Sequence, residues 1–499
     1  MKYSLLAIAV LCSFAINAQK TIPEKQIREF DNYINQVMKE WEVPGLSITV
    51  VKDGKVLLTK GYGVRELGQP GAVDAHTLFA CASTTKAMTA TVLGMLVDEG
   101  KLSWDDPVTK YIPELRLYDP YVTRELRVRD LLLHNTGLAS TDYFSSVMDI
   151  TVSDILKKLV LVKPAYSFRA GYEYQNTMYT LAGLITERVA GKKWSDVMTE
   201  RLFKPLGMTE TVPTRSLSKS SNMTKPHFPV KGEKKILNYL EDSEIGAAGG
   251  VWSSAQDITK WVVAMLDSGK YAGGRLVKKE TFIEMFKPQT IFPSNEYPTL
   301  SILKPNWLTY GFGWYQHDYK GKKINFHTGS LPGLTAIIGL IPEENFGVYI
   351  FGNYDHAEVR HALMYMAFDW FALGGTRDWN AEFKKLYGSI RKKNQDLEAA
   401  FEKDRVANTK TTLKIDAYAG SYTSELYGKV EIIAEEGKLK LDINNKFIVV
   451  DLPHWHYDTF HGPMGEAGQY DLTATFWIDA AGKVSSLDLS GLTFTKTGQ

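Results

Sequence analysis

Three short motifs carry groups that could do covalent chemistry together: Ser83-Thr84-Thr85-Lys86, Tyr174-Gln175-Asn176 and His327-Thr328-Gly329. A serine hydroxyl is a poor nucleophile until a base removes its proton, and Lys86 and Tyr174 are the two groups able to do so. Free Lys has a pKa of about 10.4 and free Tyr about 10, so one of them must be shifted down to act near neutrality. Desolvation would lower Lys86, whereas a cationic Lys86 would lower Tyr174; the sequence leaves both open. The chemistry described is acyl transfer through an ester on Ser83.

The elements around each motif decide whether it deserves that reading. Ser-x-x-Lys also occurs at Ser216/Lys219, Ser301/Lys304 and Ser389/Lys392, and Tyr-x-Asn at Tyr33/Asn35. Ser83 differs from these in its setting. It stands where an extended segment, 77–80, gives way to a helical run from Thr84 to Glu99 with Ala87, Ala90, Leu93, Leu96 and Val97, stopped at Gly100. A residue three positions on shares the helix face, so Lys86 reaches Ser83. The bland alternative is a serine N-cap with a solvated lysine. Ala87, Met88 and Ala90 argue against it, because they leave little polar surface for an ammonium. Tyr174 and Asn176 fall on a loop that follows the Arg169-Ala170-Gly171 turn and enters a helix from Thr177 to Val189, closed by Gly191. His327 to Ser330 reads as a strand interrupted by small residues before the Leu331-Pro332-Gly333 turn, with Gly329 letting a ligand approach the backbone.

With these residues in this order, the chain resembles the serine β-lactamase and penicillin-binding superfamily, in the branch of class C β-lactamases, D-alanyl-D-alanine carboxypeptidases, D-aminopeptidases and related esterases. The likeness spans about residues 25 to 372. It includes Val43-Pro44-Gly45-Leu46, Asp53-Gly54-Lys55, Leu131 to Leu138, Pro205-Leu206-Gly207-Met208 and Ala248 to Ser254. The resemblance implies an α/β fold, an antiparallel sheet flanked by helices with a mainly helical lobe holding Tyr174 over Ser83 and His327. It implies Ser83, Lys86 and Tyr174 as catalytic residues, and Asn176, His327, Thr328, Gly329 and Ser330 as substrate-binding residues, with the backbone N–H groups of Ser83 and Ser330 receiving the oxyanion. Asn176 would position both Lys86 and the substrate. One departure matters: class C β-lactamases have Lys-Thr-Gly where this chain has His-Thr-Gly. A histidine is charged only in part near neutrality, so it suits a substrate carboxylate poorly. The expected function is hydrolysis of an amide or ester through an acyl-enzyme, on a D-residue-containing peptide or a small ester. The alternatives are a class C-like β-lactamase, an acyltransferase to an acceptor other than water, and a penicillin or peptidoglycan sensor that does not hydrolyse.

Composition narrows the setting. Residues 1–18 present Lys2, an apolar run from Leu5 to Ile16 and Ala18, the pattern of a removable export signal that places the mature chain in the periplasm or outside the cell. Its removal takes Lys2 and Cys12, leaving Cys81 as the remaining cysteine and lowering the formal charge from +1 to 0. One cysteine excludes an internal disulfide, and Cys81 reads as a small buried residue. Neutral charge without basic blocks argues against nucleic acid. The partner is a small-molecule or peptide substrate. No cofactor or metal and no transmembrane anchor in the mature chain are expected; the oligomeric state is left open.

The chain is long enough for more than one core. After the catalytic domain, 19–375, a charged helical linker is expected over 376–410, its charges a solvated face. Residues 411–499 alternate in strand fashion around the Glu436-Gly437 and Ala481-Gly482 turns, which predicts an all-β domain. It resembles the lipocalin-like domain appended to members of this branch. His454, His456 and His461 interleave with Trp455, Tyr457 and Phe460, the pattern of an aromatic rim rather than of a metal site.

Overall fold

The computed structural model describes residues 22–146, 150–240, 246–355, 358–443 and 449–497; the run read as an export signal lies outside them. Helix α1 (Glu24–Glu40) leads into a hairpin of β1 (Gly45–Lys52) and β2 (Lys55–Gly63). The hairpin turns at Asp53 and Gly54, whose φ angles of 52° and 72° give the two-residue turn that matches strand twist. The long helices that follow are α2 (Thr85–Asp98), α3 (Asn176–Ala190) and α4 (Ala255–Leu266). The chain then returns to the sheet as β3 (Thr290–Ile291), β4 (Leu308–Tyr310), β5 (Tyr315–Tyr319), β6 (Lys322–Leu331), β7 (Leu334–Ile341) and β8 (Phe346–Gly352).

These strands form one antiparallel sheet in the order β2-β1-β8-β7-β6-β5-β4-β3. The first hairpin therefore closes against the last strand, with Leu46 opposite Gly352. Every residue of β7 and β8 is buried, which explains their unbroken apolar runs: both faces are covered. Ile337 and Ile350 face α1 and α5 (Val359–Phe368), where they join Phe30, Ile34 and Leu363. One residue along, Ile338, Tyr349 and Phe351 face the opposite way, toward α2 and α4. Helix α2 is buried nearly all round, so its threonines must find acceptors indoors; Thr89 and Thr91 donate to the carbonyls of Ala247 and Ala87. The lobe between α2 and α4 has α3 as its long helix, with shorter pieces such as Pro120–Glu125 and Val152–Lys158 and a hairpin of His227–Val230 with Glu233–Ile236.

Helix α6 (Trp379–Lys403) buries Trp379, Asn380 and Phe383 against this unit, packs Leu386 and Tyr387 partly against it and exposes most of its later length. It leads to nine antiparallel strands, β9 (Gly420–Ser424), β10 (Gly428–Glu435), β11 (Lys438–Asp442), β12 (Val449–Leu452), β13 (His454–His456), β14 (Thr459–Met464), β15 (Tyr470–Ile478), β16 (Val484–Leu489) and β17 (Leu492–Lys496). Their order is β12-β11-β10-β9-β17-β16-β15-β14-β13. The two sides meet where His461 donates its N–H to the Pro453 carbonyl, giving a nearly closed barrel around Tyr418, Tyr422, Phe460 and Phe476. The three histidines are otherwise engaged, His454 with the Tyr457 carbonyl, His456 with the Val406 N–H and His461 with Thr473.

Candidate active site

Residues 79–80 pair with Trp252–Ser253 as a short strand, after which Ala82 takes a φ of 46° and the chain turns through Ser83 into α2. A left-handed alanine costs roughly 1–2 kcal/mol, and the surrounding packing must hold it there. Thr84 helps by donating its hydroxyl to the Cys81 carbonyl at 2.8 Å. Cys81 itself is fully buried, its thiol pushed up to about 12 by desolvation, so it carries no thiolate into the site.

Lys86 is the second residue of α2 and is fully buried. Its Nζ is 3.0 Å from Ser83 Oγ, 2.7 Å from Asn176 Oδ1 and 2.9 Å from the carbonyl oxygen of Ala248. It sits 4.8 Å from the ring centre of Tyr174 and 5.4 Å from that of Tyr179. Desolvation brings its pKa down from 10.5 to about 7, with the Asp142 carboxylate pulling part of the way back. Tyr174 moves the opposite way: burial raises it well above 10, although its interaction with the Ser83 hydroxyl opposes the rise. Of the two bases left open by the sequence, Lys86 is the one whose surroundings favour the neutral, proton-accepting form.

The third motif lies on β6, one continuous ten-residue strand rather than the interrupted strand expected from its small residues. His327 is fully buried, and its Nδ1 donates to the Thr328 carbonyl at 2.6 Å while Nε2 accepts from Tyr310 at 3.0 Å. Desolvation and the nearby Lys86 take its pKa down to about 3, so it is neutral near pH 7 rather than partly charged. Thr328 shares a hydrogen bond of 2.9 Å with the Tyr297 hydroxyl. Gly329 also serves the packing of the strand. A Cβ there would fall 2.4 Å from the Cys81 carbonyl and 3.0 Å from Ser83 N, so glycine lets β6 lie directly against the turn that presents the serine. Counted from the two-residue turn at 332–333, Ser330 and Thr335 form a non-hydrogen-bonded pair. The Ser330 N–H is thus turned away from β7, to the outer edge of β6, beyond the point where β5 stops pairing at Phe326.

Several groups in this assembly carried no role in the sequence reading. Asp142 accepts from Asn176 Nδ2 at 2.9 Å. His134 accepts the Gln175 N–H at 3.0 Å and packs its ring 4.3 Å from Tyr174 and 4.7 Å from Tyr310, bracing the loop that delivers Tyr174. Arg360 reaches Ser330 Oγ at 3.0 Å and the Gly329 and Ala336 carbonyls, while Glu358 takes its other N–H groups at 3.1 and 3.2 Å. Burial works against the Glu358 charge, but Arg360 and His361 more than offset it and hold the carboxyl well below its usual range. The His134 and Ala248 segments belong to the stretches of resemblance noted above. Nothing in the sequence around Asp142 distinguishes it.

A serine and a buried lysine at the start of a helix, a tyrosine from a neighbouring lobe and a sheet edge beside them define a serine β-lactamase and penicillin-binding-protein-like fold. Residues 30–368 match the Beta-lactamase family, and the chain belongs to it; residues 404–499 match a domain of unknown function, DUF3471. Among curated relatives, unguisins hydrolase ungD' of Aspergillus campestris is 27% identical over 84% of this chain and 80% of its own length. Protein flp of Staphylococcus aureus is 25% identical over 65% of this chain and 63% of its own length. Among solved structures, the octameric penicillin-binding protein homologue from Pyrococcus abyssi superposes with a TM-score of 0.62 at 23% identity, covering 94% of this chain and 100% of that one. SurE gives a TM-score of 0.57 at 19% identity, covering 95% and 99%.

Proposed function

We propose that this chain is an exported serine hydrolase, periplasmic or secreted, that cleaves an amide or ester through an acyl-enzyme at Ser83, on a D-residue-containing peptide or a small ester. The observation that carries the chemistry is the division of hydrogen bonds at Lys86. A neutral amine has two N–H groups and one lone pair. Two of its three partners, Asn176 Oδ1 and the Ala248 carbonyl, can only accept. They take the two N–H groups and leave the lone pair to the Ser83 hydroxyl, 3.0 Å away.

The steps follow from that arrangement. Lys86 takes the Ser83 proton as Oγ bonds to the substrate carbonyl carbon, and the oxyanion is met by the N–H groups of Ser83 and Ser330. The proton passes from Lys86 to the leaving amine or alcohol, with the Tyr174 hydroxyl beside Ser83 as its relay, and the carbon–heteroatom bond breaks. Water, activated by the same amine, then releases the acid. The name of the Aspergillus relative supports hydrolysis. A structure of SurE with D-Leu, from a protein of the same fold, lends support to a D-residue.

The β-lactamase alternative gains nothing from the site: His327 is neutral and Arg360 is committed to Glu358. The test is to incubate residues 19–499, beside Ser83→Ala, with p-nitrophenyl acetate, nitrocefin and a D-Ala p-nitroanilide, following product and intact mass. We expect steady Ser83-dependent turnover of the ester or anilide and little nitrocefin hydrolysis. Fast nitrocefin turnover would install the β-lactamase, a lasting adduct without turnover the sensor, and activity surviving in Ser83→Ala would remove the site altogether.

A further inference from the structure

The lone-pair argument leaves one question: what stops the Asn176 amide from turning over? A side-chain amide offers an acceptor on one side and donors on the other, of nearly the same shape. With its NH2 toward Lys86, Asn176 would have no acceptor for the lysine. One Lys86 N–H would then turn to Ser83 Oγ, and the lone pair would no longer face the nucleophile.

Asp142 supplies the answer. It lies immediately before the short helix Tyr143–Ser146 of the helical lobe, and its Oδ1 is 2.9 Å from Asn176 Nδ2. An ionised carboxylate accepts only, so it selects the rotamer that presents Nδ2 to itself and Oδ1 to Lys86. Resting on the proposed role of Ser83 and Lys86, we propose that Asp142 is a positioning residue: by fixing the Asn176 amide it directs the Lys86 lone pair at Ser83, two side chains away.

Charge points to the same residue. Among the described residues, the titratable groups around Lys86 include the hydroxyl-bearing rings of Tyr174 and Tyr179, the imidazoles of His134 and His327, and Asp142. Both imidazoles are held neutral by burial. Asp142 is the group whose charge raises the lysine's proton affinity against desolvation, and it also raises the pKa of its neighbour Glu173. Removing its charge therefore shifts the Lys86 titration to lower pH, and removing its acceptor-only character frees the amide to turn. An activity loss combined with a downward shift of the acid limb is a signature that loss of a merely structural contact would not give.

The experiment compares wild type, Asp142→Asn, Asp142→Glu and Ser83→Ala. The second-order rate of Ser83 phosphonylation by diisopropyl fluorophosphate is read by intact mass from pH 5 to 9. In Asp142→Asn we expect the rate to fall about tenfold at its plateau and its acid limb to move to lower pH, with Asp142→Glu restoring part of both. The unfolding midpoint over the same pH range reads the Lys86 proton without chemistry at Ser83, and its pH dependence should shift with the limb. An Asp142→Asn profile superimposable on wild type in both measurements would overturn the inference. Labelling that persists in Ser83→Ala, or is absent from wild type, would instead overturn the assignment of Ser83 and Lys86, leaving the unfolding profiles to decide on Asp142.

Discussion

At the scale of single residues, Lys86 sets the balance between stability and chemistry. Its folded-state pKa of about 7 lies below the ordinary 10.5, so between those values the unfolded chain binds more protons than the folded one. Stability conferred by the wild-type residue therefore rises with pH across this window, and the penalty is complete below pH 7. The proposed mechanism needs the same neutral form, so activity is expected to rise through the same lower limit. Lys86→Met keeps an unbranched side chain of similar length and has nothing to protonate. The stability difference between wild type and this inactive variant should change in favour of wild type by up to about 1.4 kcal/mol per pH unit from pH 7 toward pH 10. Denaturant titrations at intervals of one pH unit measure it; a pH-independent difference would mean that Lys86 is an ordinary ammonium and no base. The sequence made Ser83 and Lys86 legible because a helix period fixes what lies three residues apart. Asp142 was illegible because its partner Asn176 reaches it only through the fold.

Elements bring the sequence-distant motifs together, and their bounds were legible wherever local chemistry decides them. The Asp53-Gly54 turn, the Gly191 stop with its φ of 66° and the alternation of the C-terminal strands are of this kind. The continuity of β6 was not, since threonine, glycine and serine look like a break until β7 and the Cys81–Ser83 turn are laid against them. That contact yields a prediction. In Gly329→Ala a methyl group would stand 2.4 Å from the Cys81 carbonyl and 3.0 Å from both Ala82 Cβ and Ser83 N. These are backbone and near-backbone atoms that cannot swing aside, so β6 and the serine turn must separate. The oxyanion site proposed between the N–H groups of Ser83 and Ser330 is then pulled apart. We expect kcat/KM for p-nitrophenyl acetate to fall by about a hundredfold with a stability loss of only about 1–3 kcal/mol. A folded variant of normal activity would show that the Ser330 edge does not take part in catalysis.

For the whole molecule the telling feature is where the barrel touches the catalytic unit. Because every neighbouring pair in the barrel is antiparallel, the turns after β9, β14 and β16 emerge at one end. Two of them dock. Tyr427 meets the ring of Tyr143 edge-on at 4.9 Å, and Lys158 donates to the Glu425 and Leu426 carbonyls at 2.8 and 2.9 Å. On the other side Glu466 takes the backbone and side-chain N–H of Asn238 at 2.8 and 2.6 Å, and Tyr470 meets Phe228 at 5.8 Å. Tyr143 adjoins Asp142, so the barrel bears on the support of one of the Lys86 hydrogen bonds, the one to Asn176. No local pattern could have announced this, because it depends on the register of nine strands and the length of α6. An aromatic pair contributes about 0.5–1.5 kcal/mol and a hydrogen bond to a charged group about 1.5–3 kcal/mol, so the docking is strong enough to steady the loops yet weak enough to be broken by two substitutions. The Tyr427→Ala, Glu466→Ala double variant should therefore keep both cores folded while kcat/KM for p-nitrophenyl acetate falls several-fold, with most of the loss traced to Tyr427→Ala because its ring partner Tyr143 adjoins Asp142. Kinetics equal to wild type in the double variant, with the circular dichroism of both domains intact, would confine the barrel to a task away from the cleft.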